Sequence, residues 1–167
     1  GDAHLAWCLE LAEQAAPYLW GAAEAASLAR LELERDNLRV ALQWSLENGR
    51  TEENLRLAAK LAWYWYVRAH LHEGRHWLDQ ALVASGTASA SSRSAALAAA
   101  GTLAVQQGDQ ERAAALLEQA ISLYCEPSCS NRAGWSILNL GLLALYDGDH
   151  TRAEQLMDES MGLFREL

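Results

Sequence analysis

Gly101-Thr-Leu-Ala-Val-Gln-Gln-Gly108-Asp109 and Gly141-Leu-Leu-Ala-Leu-Tyr-Asp-Gly148-Asp149 decide the fold. Both glycines of the second stretch follow those of the first at one and the same interval. The same shift carries Arg112-Ala113 onto Arg152-Ala153, Ala120 onto Ser160 and Tyr124 onto Phe164. A weaker copy lies upstream at almost the same interval, with Ala62 opposite Gly101, Gly74 opposite Ala113 and Ala81 opposite Ala120. Self-similarity at a fixed spacing marks a stack of like units, each burying its apolar side against the next. The small residues let two helices of a unit approach closely, while Leu61, Leu78, Leu82, Leu117, Ile121, Leu140, Met157 and Met161 fill the surrounding space. Each Gly-Asp pair lets the chain reverse, glycine taking a backbone conformation other residues avoid and aspartate capping the next helix.

The rest of the chain reads as helix too. Alanine and leucine dominate, and apolar residues recur at helical spacing. Leu5, Leu9, Ala12, Ala16 and Leu19 form one face of a first helix that Gly21 ends. A second runs from about Ala22 to Asn48, where Asn48-Gly49 is a stop signal. Thr51-Glu-Glu starts a third, reaching about Ala69, and a fourth covers Glu73 to Ala84. Ser85 to Ser94 reads as a loop, and four further helices fall near 93–107, 110–124, 131–146 and 150–165. The expectation is an all-α, right-handed α-solenoid of about eight helices. Residues 1–50 would be N-terminal helices packing on an array of three units at about 55–88, 94–127 and 134–167.

The chain has 167 residues, 51% hydrophobic and 21% charged, the balance of a soluble globular unit. Thirteen Lys and Arg against 22 Asp and Glu give a net charge of −9, and Lys60 is the only lysine. Phosphate backbones are held by clustered cations, so direct nucleic-acid binding by this segment is not expected. No signal peptide or membrane span is visible, Leu61 to Val67 being too short to cross a bilayer. Three cysteines imply no disulfide framework, and the setting expected is the cytoplasm.

The spacing of Leu140-Gly141, Ala144, Gly148-Asp149, Ala153 and Ser160 resembles the tetratricopeptide (TPR) repeat. The copy around Gly101 follows nearly as well, and that around Ala62 is degenerate. The chain departs from the family in its longer period, where about 34 is usual, and in Ala58, Leu97 and Ile137, which replace a bulky residue early in the first helix. Upstream, Leu28-Ala-Arg30-Leu31, Asp36-Asn37-Leu38, Trp44-Ser-Leu46, Trp63-Tyr-Trp-Tyr66 and Glu73-Gly74-Arg75 resemble the junction and TPR-like sensor region of bacterial STAND-type ATPases and LuxR-type transcriptional activators. The resemblance implies a non-catalytic sensor or interaction module whose ATPase and DNA-binding parts lie elsewhere in a longer chain. A free-standing TPR adaptor is the alternative.

In the TPR register the first helix of each unit lines a concave groove. That places Arg56, Lys60, Trp63, Tyr66 and Val67 there from the first unit, Thr102, Val105 and Gln106 from the second, and Trp135, Asn139, Leu142 and Tyr146 from the third. Aromatic side chains with a few polar groups suit a protein, a peptide or a small inducer. The same aromatics could instead cover neighbouring helices. Leu156, Met157, Met161, Leu163 and Phe164 are more apolar side chains than one unit should consume, so the last helix is expected to be an open end within a longer array and a homodimer face.

His72-Glu73-Gly74-Arg75-His76 matches the zinc-protease pattern H-E-x-x-H. A third ligand is missing, and in the repeat register both histidines point outward, so no metal and no catalytic residue are expected. Cys125 and Cys129 flank an interhelical loop without the second pair that a zinc site needs. No Gly-Lys dipeptide for a phosphate-binding loop and no G-x-S-x-G elbow occur, and no cofactor is expected.

Overall fold

Helix formers carrying one apolar stripe per segment leave little choice of secondary structure. In a computed structural model, which describes residues 1–16, 24–124 and 130–165, the described residues are helical throughout, with short turns and no strand. The helices are α1 (Asp2–Ala15), α2 (Glu24–Leu33), α3 (Arg35–Glu47), α4 (Thr51–Val67), α5 (Leu71–Val83), α6 (Ala90–Gln106), α7 (Gln110–Ser122), α8 (Ser130–Tyr146) and α9 (His150–Arg165). Leu19, Gly21, Cys125 and Cys129 lie outside the described residues.

Two boundaries differ from the sequence reading. The helix expected over 22–48 is broken at Glu34, whose φ of −97° and ψ of 7° interrupt the ladder between α2 and α3. Its carboxylate accepts a hydrogen bond from the Asn37 side-chain amide at 2.7 Å across the break. The loop expected over 85–94 is shorter: a 3-10 turn covers Ser85–Thr87, and α6 starts at Ala90. Ser89 explains the early start, because its hydroxyl accepts from the Ser92 backbone N–H and caps the helix.

One turn is used four times. Gly49, Gly108 and Gly148 have φ of 65°, 73° and 78°, and Ala69 has 57°. At each, this residue's N–H donates three residues back and the next N–H donates five back, as in Gly108 to Val105 and Asp109 to Ala104. That is the Schellman closure of a helix C-terminus. The residue after the turn (Arg50, His70, Asp109 or Asp149) is at once the N-cap of the following helix, its carbonyl accepting the first helical bond. The helix pairs α3/α4, α4/α5, α6/α7 and α8/α9 are therefore hairpins with almost no connecting chain.

The chain divides into two compact units, Gly1–Ala88 and Ser89–Leu167. In the first, α1 packs on α3 and α4, and α4 packs on α5. The expected division at residue 50 falls between α3 and α4, which pack on one another here. Leu31, Leu42, Leu55, Leu57, Leu61, Tyr64, Trp65 and Leu78 are fully buried. The buried amide of Asn54 donates to the Ser45 hydroxyl at 2.6 Å and the Leu42 carbonyl at 2.9 Å, satisfying polar groups at the α3/α4 turn.

In the second unit α6 packs on α7, α8 on α9, and α8 also on α6 and α7. Gly101 sits at the crossing of α6 and α7, where an added Cβ would lie 2.7 Å from Leu117 Cγ. Gly141 plays the same part against Met157, with more room at 3.3 Å. Ala113, Ala120, Ala153 and Ser160, the small residues expected to answer, are all buried. Each close approach carries a buried hydroxyl bond. Ser94 on α6 donates to the Ala120 carbonyl on α7 at 3.2 Å, and Ser160 on α9 donates to the Gly134 carbonyl on α8 at 2.9 Å.

Candidate functional site

The twelve residues of the expected groove fall five on α4, three on α6 and four on α8. On α4, Arg56, Lys60, Trp63 and Val67 recur at helical steps and form one stripe. Trp63 stacks on Tyr66 with ring centroids 4.7 Å apart and planes 10° from parallel, and both rings are half-buried. Arg56 pairs with Glu13 of α1, so it ties two helices together within the first unit. Lys60 and Val67 are exposed.

On α8, Trp135, Asn139, Leu142 and Tyr146 form the corresponding stripe. Trp135 is 44% exposed and Tyr146 69%, whereas Leu142 is half-buried. The Trp135 ring packs edge-on against Phe164 of α9 at 5.5 Å, and its backbone carbonyl accepts from the Asn139 amide at 2.9 Å. Gln106 is exposed at the end of α6, the helix that neighbours α8. Thr102 spends its hydroxyl on the Ala98 carbonyl, and Val105 packs against the apolar cluster between α6, α7 and α8. Val105 therefore belongs to a helix seam. The stripe on α8 offers aromatic faces and the Asn139 amide, chemistry suited to holding a side chain or an apolar ligand.

The H-E-x-x-H segment has another role. The Glu73 carboxylate accepts from Arg39 at 2.7 and 2.8 Å and also from Arg35, both on α3. Burial pushes its pKa upward, but the bonds from Arg39 and Arg35 outweigh that and hold it down at about 2. A carboxylate held so far below neutrality is a poor general base. His72 and His76 are both exposed, and His76 lies 3.0 Å from the Gln80 amide. No group of three or more His, Cys, Asp or Glu suited to a metal occurs among the described residues.

Two features escaped the sequence reading. Glu32 of α2 accepts from the buried Tyr64 hydroxyl at 2.9 Å and lies 3.5 Å from His70 Nε2, clipping α2 to the α4/α5 turn. Burial opposes its ionisation, yet the Tyr64 bond and the neighbouring His70 keep its pKa lowered. Beside the Glu73 cluster, Arg39, Val40, Gln43, Trp44, Glu47 and Trp77 line an open hollow of about 390 Å³ between α3 and α5. Arg35 and Arg39 carried a signal, since like charges four residues apart on a helix are unfavourable unless an acid serves both. Cys8 is buried beside His4, and its thiol points at the Asn37 carbonyl at 3.6 Å; burial pushes its pKa up to about 11.

No protein-family model matches the chain. A stretch of 55 residues, 33% of the chain, is 51% identical to proteins provisionally named HTH-type transcriptional regulators: Mb0914c of Mycobacterium bovis and MT0914 and Rv0890c of Mycobacterium tuberculosis. That stretch spans 6% of the length of each relative. No helix among the described residues is long and apolar enough to cross a membrane.

Proposed function

We propose that this chain is a non-catalytic sensor and interaction module of a bacterial transcription regulator, built as a TPR-like solenoid of the STAND/LuxR kind. The observation that carries the reading is the 51% identity over 55 residues to HTH-type regulators. The hairpins that recur at constant spacing, with left-handed turns at Gly108 and Gly148, support the TPR-like part. The module binds a protein, a peptide, a small inducer or another domain of its own chain through the aromatic stripes on α4 and α8. Nucleic acid is contacted elsewhere, in keeping with the −9 charge, and the module works in the cytoplasm. Engagement of Glu73 by two arginines supports a structural role for the H-E-x-x-H segment.

The coding sequence around the chain tests the regulator reading. A phosphate-binding loop or a helix-turn-helix in the same frame is expected; a free-standing frame with neither makes the protein a TPR adaptor. A thermal-shift screen of small effectors and peptides tests the sensor reading. Tyr146→Ala should abolish the shift of any ligand found on α8 without lowering the melting temperature of the unliganded protein. A ligand whose shift survives both Tyr146→Ala and Trp63→Ala would remove the stripes from the binding site.

A further inference from the structure

The stripe on α4 carries an imbalance of charge. Arg56 and Lys60 stand four residues apart on one face, a spacing that sets like charges together. On α3, Arg35 and Arg39 have the same spacing, and Glu73 serves both. On α4 the acid reaches one of the two cations: Glu13 of α1 pairs with Arg56. No acid stands three or four residues from Lys60 in either direction, and no ion pair holds it among the described residues. The only lysine of a chain with net charge −9 is thus exposed and uncompensated.

What stands next to that ammonium is apolar. Trp63, one turn on, stacks on Tyr66, and Val67 follows a further turn along. From Lys60 to Val67 the helix rises about 10 Å. One face therefore runs from a cation across two rings to an aliphatic side chain. A ligand that complements it has a flat apolar body with a negative charge at one end. The size of that charge follows from the supply of cations. Phosphate groups and nucleic-acid strands are held by several lysines and arginines, whereas one ammonium balances one carboxylate.

We propose that the stripe on α4 binds a small apolar carboxylate, its body lying on Trp63 and Tyr66 and its charge paired with Lys60. This names the ligand class of the sensor reading and rests on that reading. The rings supply most of the affinity, because water screens an exposed ion pair, and Lys60 supplies the choice of charge. Arg56 stays with Glu13 and takes no part.

Isothermal titration of the whole chain with three probes of one ring system is the test: naphthoate, naphthamide and naphthylmethylammonium. Naphthoate should bind about three-fold or more tightly than naphthamide, and the ammonium more weakly than either. Lys60→Gln should abolish the preference for the carboxylate and leave the naphthamide affinity unchanged, whereas Lys60→Arg should keep the preference. Trp63→Ala should weaken all three probes alike. Circular dichroism of Lys60→Gln should match the wild type, the position being exposed. A preference that survives Lys60→Gln, or naphthamide binding as tightly as naphthoate, would overturn the carboxylate assignment and leave the stripe as a binding site. No binding by any probe at millimolar concentration, or binding indifferent to Trp63→Ala, would overturn the assignment and remove α4 from the sensor reading as well. A glutamate-rich peptide without aromatic residues that binds through Lys60 where naphthoate does not would overturn it in favour of an acidic protein partner.

Discussion

Ala69 holds the left-handed backbone conformation of Gly108, its counterpart one repeat downstream, with φ of 57° against 73°. The hydrogen bonds match as well: Ala69 N–H donates to the Tyr66 carbonyl and His70 N–H to that of Trp65. Alanine tolerates this region poorly because its Cβ crowds the following carbonyl. Ala69→Gly should therefore stabilise the protein by about 0.5 kcal/mol, the relief of strain being partly offset by the added freedom of the unfolded chain. Gly108→Ala should cost about 1 kcal/mol. Urea melts of the two variants check the pair, and a destabilised Ala69→Gly would refute the shared turn.

The crossings at Gly101 and Gly141 should respond differently to one added methyl. At Gly101 the methyl would lie 2.7 Å from Cγ and 2.9 Å from Cδ2 of Leu117, a fully buried side chain with nowhere to move. Gly101→Ala should cost about 1–3 kcal/mol. At Gly141 the nearest atom is Met157 Cγ at 3.3 Å, and the half-buried methionine can give way. Gly141→Ala should be near neutral, the better helix propensity of alanine offsetting the shift. Thermal melts that ranked the two in the opposite order would contradict the geometry.

Glu73 sets an acid limit on stability. Its pKa is about 2 when folded and near 4.5 when unfolded, so the folded state favours the ionised form. Its contribution is complete above pH 4.5 and is lost as the pH falls from there towards 2. Allowing for solvent screening of the part-exposed arginines, it amounts to about 2 kcal/mol. Glu73→Gln should remove about that much at pH 7 and flatten the stability curve through this window, measured by denaturant melts at successive pH values.

Neighbouring tryptophans on α4 separate core from surface. Trp65 is 2% exposed and fully packed, so Trp65→Ala should cost about 3–5 kcal/mol. Trp63, half-buried against Tyr66, should cost about 1 kcal/mol on the same change. Equal losses in calorimetry would make Trp63 a core residue and remove it from any binding stripe.

What could be read from the chain depended on the range of the interaction. The turns at Gly49, Gly108 and Gly148 were legible because a left-handed residue leaves a local mark, and the crossing at Gly101 because it recurs at Gly141. The turn at Ala69 was hidden by its alanine and is betrayed only by its register. The break at Glu34 was not legible: neither Gly nor Pro marks it, and the apolar stripe runs on from Leu31 to Leu38. Glu73 was seen inside a metal-binding pattern because its partners, Arg39 and Arg35, lie 34 and 38 residues away. On α8 the stripe from Trp135 to Tyr146 followed from helical periodicity, but the seam position of Val105 depends on how α8 lies across α6 and α7.

The serine bonds of the second unit bear on how such repeats diverge. Ser94 and Gly134 are equivalent positions, as are Ala120 and Ser160, so the donor has changed helices while the bond across the seam persists. An alignment of the two copies scores a mismatch in both columns, although the physical device is the same. Converting one copy into the other by single exchanges passes through a form with two hydroxyls or none at the crossing. Drift at these positions is therefore coupled, and the paired columns would carry the memory of duplication after the identity of either residue had been lost.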